Sequence, residues 1–457
     1  MTRISLALSL LLIALVAGRA DAQLTLRDAL ARADTNGYAN RAAAAVADAR
    51  AAQALQPYRG ILPAIRVEAG YLRTTDPIAA FGMKLRQRAI GAADFDPAVL
   101  NHPGAVGDRA AAVVLEQPIL NTDAWVGRSA ARDASDAQAA AAHWTRDATR
   151  VDVVRAYFGA TLAAEKHSTL EAAERAAMAH VARAKALADT GMVTRSDALL
   201  AEVRAGEVTT RRLSAAGDAA HAARALAMLL GEPANRYSLP TSLPAAAAIR
   251  VLVAADTVER PSLAIARADV QAAILALSAA QADVLRAKAA FLPRLNAFAR
   301  YDWNDPTGLF AGERSWTAGV MASWSPFTGA TELAGSRVAN AQARTARAQR
   351  DAAEANAALE LARTRDRLVV TLAQLAIAEQ SVTQSAEALR IVARKYDGGL
   401  ATISDLLEAQ AIATQAALGL SFARYELLVA AAELRQARGQ DPSFLGALDG
   451  ATPPDDN

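Results

Sequence analysis

The stretch Gly399-Leu-Ala-Thr402-Ile-Ser404-Asp405-Leu-Leu407 repeats Gly191-Met-Val-Thr194-Arg-Ser196-Asp197-Ala-Leu199, with five of nine positions identical. The offset of 208 positions also carries Pro118 to Pro326, Gly127 to Gly335 and Asp189 to Asp397. Each half therefore runs 73 residue steps from its proline to its turn glycine without net insertion. A repeat of this kind fixes the architecture before any local reading. Gly191 and Gly399 suit the left-handed conformation that ends a helix. Thr194 and Thr402 stand where the next helix is capped, with Asp197 and Asp405 three residues on, the T-x-x-D form of a capping box. Each copy predicts a long helix, a tight turn and a returning helix.

Outward from the turns, residues 119–232 and 327–441 contain no proline. Long helices are predicted at about 119–190 and 328–397, with returning helices at about 195–230 and 402–438. A helix from Pro118 to Gly191 measures on the order of 105 Å at 1.5 Å per residue. Leu361, Leu368, Leu375, Val382, Leu389 and Tyr396 recur every seven residues, which keeps one stripe against a partner helix in a coiled-coil-like seam. Residues 24–56 are alanine-rich and free of proline, which suits one or two helices ending before Pro57. Between the halves, 231–260 holds Pro233, Pro240 and Pro244 and reads as a linker of little regular structure. Helix resumes over about 262–291. The last residues, 446–457, read as a disordered tail.

In front of each long helix the period changes to two. Ile65, Val67, Ala69 and Tyr71 alternate with polar Arg66 and Glu68, the mark of a strand with one apolar face. A second strand is expected near 109–117, after a 35-residue excursion loop from Thr74 to Asp108 punctuated by Pro77, Pro97 and Pro103. The second copy is clearer. Leu295, Ala297, Ala299, Tyr301 and Trp303 form one face of a strand at 294–303. Trp316, Ala318, Val320, Ala322 and Trp324 form one face of another at 314–325. The loop between these two is short.

The 457 residues carry 49 basic and 47 acidic side chains, so no nucleic-acid footprint is visible. The absence of cysteine rules out disulfides, thiolate metal sites and a lipid on an N-terminal cysteine. Residues 1–22 resemble a secretory signal: Arg3, an apolar run from Ile4 to Ala17, and Ala20-Asp-Ala22 before an expected mature start near Gln23. No later apolar run approaches the length of a membrane helix. The five histidines, His102, His143, His167, His180 and His221, show no zinc spacing, and no nucleophile elbow or phosphate loop occurs. No enzyme, metal site or cofactor is expected.

Four strands of about ten residues with an apolar face and aromatic ends match outer-membrane barrel strands, yet four cannot close a barrel. Such a chain either shares a barrel with copies of itself or packs its strands against its own helices in an α+β sandwich.

The duplicated helix–strand–strand–helix plan, Leu62-Pro63 and Leu292-Pro293 at helix-to-strand passages, and Tyr396-Asp-Gly-Gly399…Ser404-Asp405-Leu-Leu-Glu408 together resemble the TolC-like outer-membrane efflux proteins. The resemblance covers nearly the whole mature chain. It implies a mainly α fold with transmembrane β-structure: a homotrimer sharing a 12-stranded barrel in the outer membrane lipid, above a periplasmic α-barrel. It also implies two partners, a periplasmic adaptor (membrane fusion) protein and an inner-membrane transporter of RND or ABC type. The function implied is a passive exit duct of a tripartite pump for small toxic molecules, drugs or metal ions. Type I protein secretion is the alternative duct, and a soluble periplasmic coiled-coil scaffold is the alternative of a different class.

By the same resemblance Asp405 and Glu408 match two acidic positions that ring the tunnel's periplasmic end, and Tyr396 matches a constriction tyrosine. In a trimer these carboxylates stack as two rings, and some are expected to have raised pKa values. The family's arginine two residues after the turn glycine is replaced by Ala401, with Arg195 of the first copy as a substitute. Gly191, Thr194, Asp197, Gly399 and Thr402 form the helix-turn tips expected to dock the adaptor. The bland alternative leaves Asp405 as a helix cap and Glu408 as an ordinary surface charge.

Overall fold

The computed structural model describes residues 23–233, 237–257 and 267–449; the expected signal segment lies outside them. The chain divides into two compact units. One holds residues 47–139 and 272–351, the other residues up to 46, 140–271 and 352 onward.

The first of these units contains an antiparallel sheet in the order β1-β2-β3-β4. Its strands are β1 Ala64–Thr74, β2 Val106–Leu120, β3 Arg294–Asp305 and β4 Glu313–Ser323. β2 runs three residues past each end of its expected span. Pro118 fits inside it because the register shifts between Pro118 and Leu120, and a bulge spares the ladder bond that proline cannot make. The pairing places Val67, Val113, Tyr301 and Trp316 in one row across the sheet, and Ile65, Leu115, Ala299 and Ala318 in another. Arg66, Val114, Arg300 and Thr317 lie on the opposite face, next to a row of Glu68, Ala112, Asp302 and Ser315. Arg300 binds Glu68 at 2.9 Å and Asp302 at 2.7 Å. The apolar face is left bare: Ile65 is 72% exposed and Trp316 74%. A sandwich that buries its strands under its own helices would cover these side chains, so the α+β alternative fails.

The excursion between β1 and β2 is not an irregular loop. It holds α3 Pro77–Arg86, a short 3-10 turn Ala92–Phe95 and α4 Pro97–Asn101. Pro77 and Pro97, read from sequence as breakers, occupy first helical turns. Asp76 and Asp96 cap them by accepting from Ala79 N and Ala98 N. Proline is favoured there because its missing N–H has no intrahelical partner anyway.

The other unit is helical. α1 Leu26–Asn36 and α2 Tyr38–Gln53 open the described chain. α5 Thr122–Asp189 and α9 Thr331–Asp397 run unbroken for 68 and 67 residues and end in this unit. The returning helices α6 Arg195–Leu229 and α10 Ile403–Ala437 each have 35 residues and obey the 208-residue offset at both ends. Along α9 the heptad leucines Leu368 and Leu375 are buried. A second buried stripe, at multiples of seven residues, holds Ala357 and three hydroxyl side chains. Thr364, Thr371 and Ser385 are buried too, and each donates its hydroxyl to a carbonyl of the preceding turn. A seam of leucine facing small residues lets helices approach closely without leaving a hydroxyl unsatisfied.

The segment read as a linker contains α7 Ala246–Thr257. Leu243, Ile249 and Val253 are fully buried in one core with Leu26, Leu226, Leu375, Leu427 and Leu434. Glu165 of α5 fastens this segment: it accepts from Leu243 N at 2.7 Å and Ser421 Oγ at 2.5 Å, and pairs with Arg424. The charge is sunk in the protein but fully partnered, as a buried carboxylate must be. The expected tail is also ordered as far as Asp449. Leu445 and Leu448 are buried, and the Asp449 carboxylate accepts from Leu26 N and Arg27 N at the start of α1. α8 Ala268–Ala289 is long and apolar enough, by length and composition, to cross a membrane, against the sequence expectation. It carries Asp269, Asp283, Arg286 and Lys288, and its Ser278 donates to Asp133 of α5 at 2.6 Å.

Candidate functional site: the paired helix-turn tips

Both turns are built as the sequence dictates. Gly191 and Gly399 take φ of 73° and 72°, a left-handed conformation open to glycine at little cost. Thr194 Oγ1 accepts from Asp197 N, and Asp197 returns a bond to Thr194 N at 3.0 Å. Thr402 and Asp405 do the same, with the return bond at 2.8 Å. The two capping boxes are therefore equivalent.

The two tips meet. Ala184, Ala198 and Ala201 of the first hairpin pack against Tyr396, Ile403 and Leu406 of the second. Alanines on one side and large side chains on the other make a shallow contact. Across it, Arg183 pairs with Asp397 at 2.6 Å and stands 5.8 Å from the centre of the Tyr396 ring. Tyr396 itself is buried, with its hydroxyl unpartnered, so burial raises its pKa above the ordinary phenol range. Sequence reasoning did not find Arg183 or Asp397 as partners. A single arginine on a helix rich in arginines carries no signal of the side chain it will meet on a helix about two hundred residues away. Arg195, the substitute weighed from sequence, is exposed and forms no ion pair among the described residues.

Asp405 and Glu408 both lie on the exposed side of α10's first turns. Asp405 is engaged by its cap: backbone and hydroxyl bonds from Thr402 pull its carboxyl below the usual carboxylate range. Within one chain this reverses the raised pKa expected of it. Glu408 opens onto a cavity of about 470 Å³ between α5, α6 and α10, shared with His180, Arg204, Glu207 and Gln410. Burial pushes the His180 imidazole below its ordinary value, helped by the Arg183 charge and opposed by a hydrogen bond with Gln410.

Hairpin tips capped twice over, a four-stranded sheet with one bare apolar face and a 208-residue repeat now stand together, and comparison with known proteins bears on them. Residues 261–440 match the family model for the outer membrane efflux protein. That match spans 180 of the 457 residues. The efflux-protein fold extends over nearly all of the chain. The Vibrio cholerae outer membrane protein VceC superposes with a TM-score of 0.74 at 20% identity, covering 91% of this chain and 96% of its own. The Campylobacter jejuni CmeC outer membrane channel gives 0.74 at 17%, covering 91% and 85%. The open state of the Neisseria gonorrhoeae MtrE outer membrane channel gives 0.73 at 20%, covering 91% and 89%. No curated protein matches the chain.

Proposed function

We propose that this chain is a homotrimeric channel-tunnel of the outer membrane and the passive exit duct of a tripartite pump for small toxic molecules. The observation that carries the reading is the sheet. Its apolar face is uncovered, and the outer edges of β1 and β4 are unpaired among the described residues. Long exposed edges invite pairing with another chain, and uncovered aromatic strands suit lipid. An even number of strands per chain lets β4 of one copy meet β1 of the next antiparallel, so three copies give a barrel of about 12 strands, within the known range. The carboxylate rings at Asp405 and Glu408 and the adaptor dock at Thr194 and Thr402 belong to this same reading.

In that arrangement the strand loops face outside the cell and the turns lie in the periplasm. The test is mass in detergent together with labelling of intact cells. Three copies per particle, a tag near Ala92 reachable from outside and a tag near Gly191 unreachable support the reading; a stable monomer without detergent defeats it. Cysteines placed at Thr194 and Thr402 are expected to capture a periplasmic adaptor, not an outer-membrane neighbour.

A further inference from the structure

The excursion between β1 and β2 lies on the polar face of the sheet. α3 packs against β2 and β4, two strands separated by β3, so it crosses the sheet. The face it takes is settled by its contacts. Gln87 donates to the Gly107 carbonyl and to the Asp108 carboxylate, both at 2.9 Å, and Arg88 pairs with Glu313 at 3.1 Å. Asp108 and Glu313 fall at the even-numbered β2 and odd-numbered β4 positions that share a face with Glu68, Arg300 and Asp302. Asp108 and Asn304 are buried at 3% and 5% exposure, although their face carries the sheet's ion pairs.

The segment is also braced from within. Arg88 takes φ of 51°, a left-handed turn that a residue with a side chain adopts only where its surroundings hold it. Lys84 binds Asp94 at 2.6 Å, and Phe81 meets Phe95 edge to face. Ile78, Leu85 and Phe95 remain uncovered in a single chain.

We propose that residues 77–101 form an inward-folded constriction at the outer mouth of the barrel, tethered by Gln87 and Arg88, that limits the size of what passes there. The inference rests on the shared barrel: only there does the polar face become the lumen. An α-helix with its side chains is roughly 10 Å across, so three copies of α3 occupy a large part of a 12-stranded bore. The uncovered Ile78, Leu85 and Phe95 then meet the same segment of the neighbouring copies around the axis.

The chain has no cysteine, so one introduced thiol reports its own position. Thr317 is exposed on the polar face, four residues along β4 from Glu313, roughly 13 Å deeper in the bore. Thr317→Cys is labelled on intact cells with a small maleimide and with a maleimide on a polyethylene glycol of several kilodaltons. The comparison is made with the segment intact, with 78–100 replaced by a short glycine-serine link, and with Gln87→Ala plus Arg88→Ala. The small reagent is expected to label all three, and the large one only the last two. Equal labelling by the large reagent with the segment intact overturns the constriction alone. Failure of the small reagent even after the segment is removed overturns the barrel reading and the constriction with it.

Discussion

Arg183 of the first hairpin holds Asp397 of the second at 2.6 Å, beside the buried ring of Tyr396. The pair joins helices about two hundred residues apart at the point where the first hairpin offers only alanines to the buried contact. Both side chains are 49% exposed, so solvent screening leaves the ion pair worth at most about 1 kcal/mol. Arg183→Ala is therefore expected to leave the thermal stability of the assembly nearly unchanged. If the pair holds the two hairpins together across the opening of an assembled channel, the same variant raises single-channel conductance. Unchanged conductance in assembled channels rules that role out.

Much of this architecture is legible in the chain because the repeat is strict. The capping boxes at Thr194 and Thr402 and the equal length of α6 and α10 follow from local chemistry that acts the same way in both copies. What local chemistry cannot show is what a segment packs against. Pro77 and Pro97 read as loop punctuation until Asp76 and Asp96 are seen capping helices behind them. Leu243 and Ile249 look like parts of a proline-bounded linker until Glu165, far back in α5, is found holding the segment in the core. Asp405 is the sharpest case. Its type and spacing fit both a gate and a cap, and the fold shows the cap at work in one chain.

His180 supplies a pH dependence. Its folded-state pKa lies below the ordinary imidazole value because burial and Arg183 disfavour the charged form. The sign follows from linkage: the unfolded state binds the proton more readily, so the stability contributed by the neutral ring is present above the ordinary histidine range. It is lost as pH falls from there toward the lowered folded value. The hydrogen bond with Gln410 and the Asp397 charge oppose the shift without reversing it. Wild-type tips are expected to loosen on mild acidification, read as faster hydrogen exchange around Ala184 and Ile403. His180→Gln removes the titration, and a mutant that still loosens over the same pH range refutes the assignment.

Leu375 is fully buried in the central core, whereas Leu361, on the same stripe, is only packed against its margin. Truncating a buried leucine costs about 2–5 kcal/mol through lost transfer energy and the cavity left behind. Leu375→Ala is expected to lower the temperature at which the assembly dissociates in detergent by clearly more than Leu361→Ala. Equal shifts would mean that another copy covers Leu361 and would relocate the seam.

The acidic rings can be separated from the cap because amide and carboxylate differ in charge but not in shape. Asp405 accepts from Thr402 N and from its hydroxyl, and an asparagine oxygen can accept at the same place. Asp405→Asn therefore keeps the capping geometry and removes one negative charge per copy, while Asp405→Ala removes both. Glu408, three residues on, faces the cavity without a cap to serve and lies on the same helix face. If the two positions form stacked rings in a trimer, Asp405→Asn with Glu408→Gln abolishes cation preference and block by multivalent cations while the assembly stays intact. If Asp405 serves only as a cap, the Asn variant behaves as wild type and only Asp405→Ala disturbs the tip. Planar-bilayer recordings of reversal potential and of block by a trivalent cation distinguish the two. Selectivity retained by the doubly neutralised channel would leave the helix cap as the whole role of Asp405.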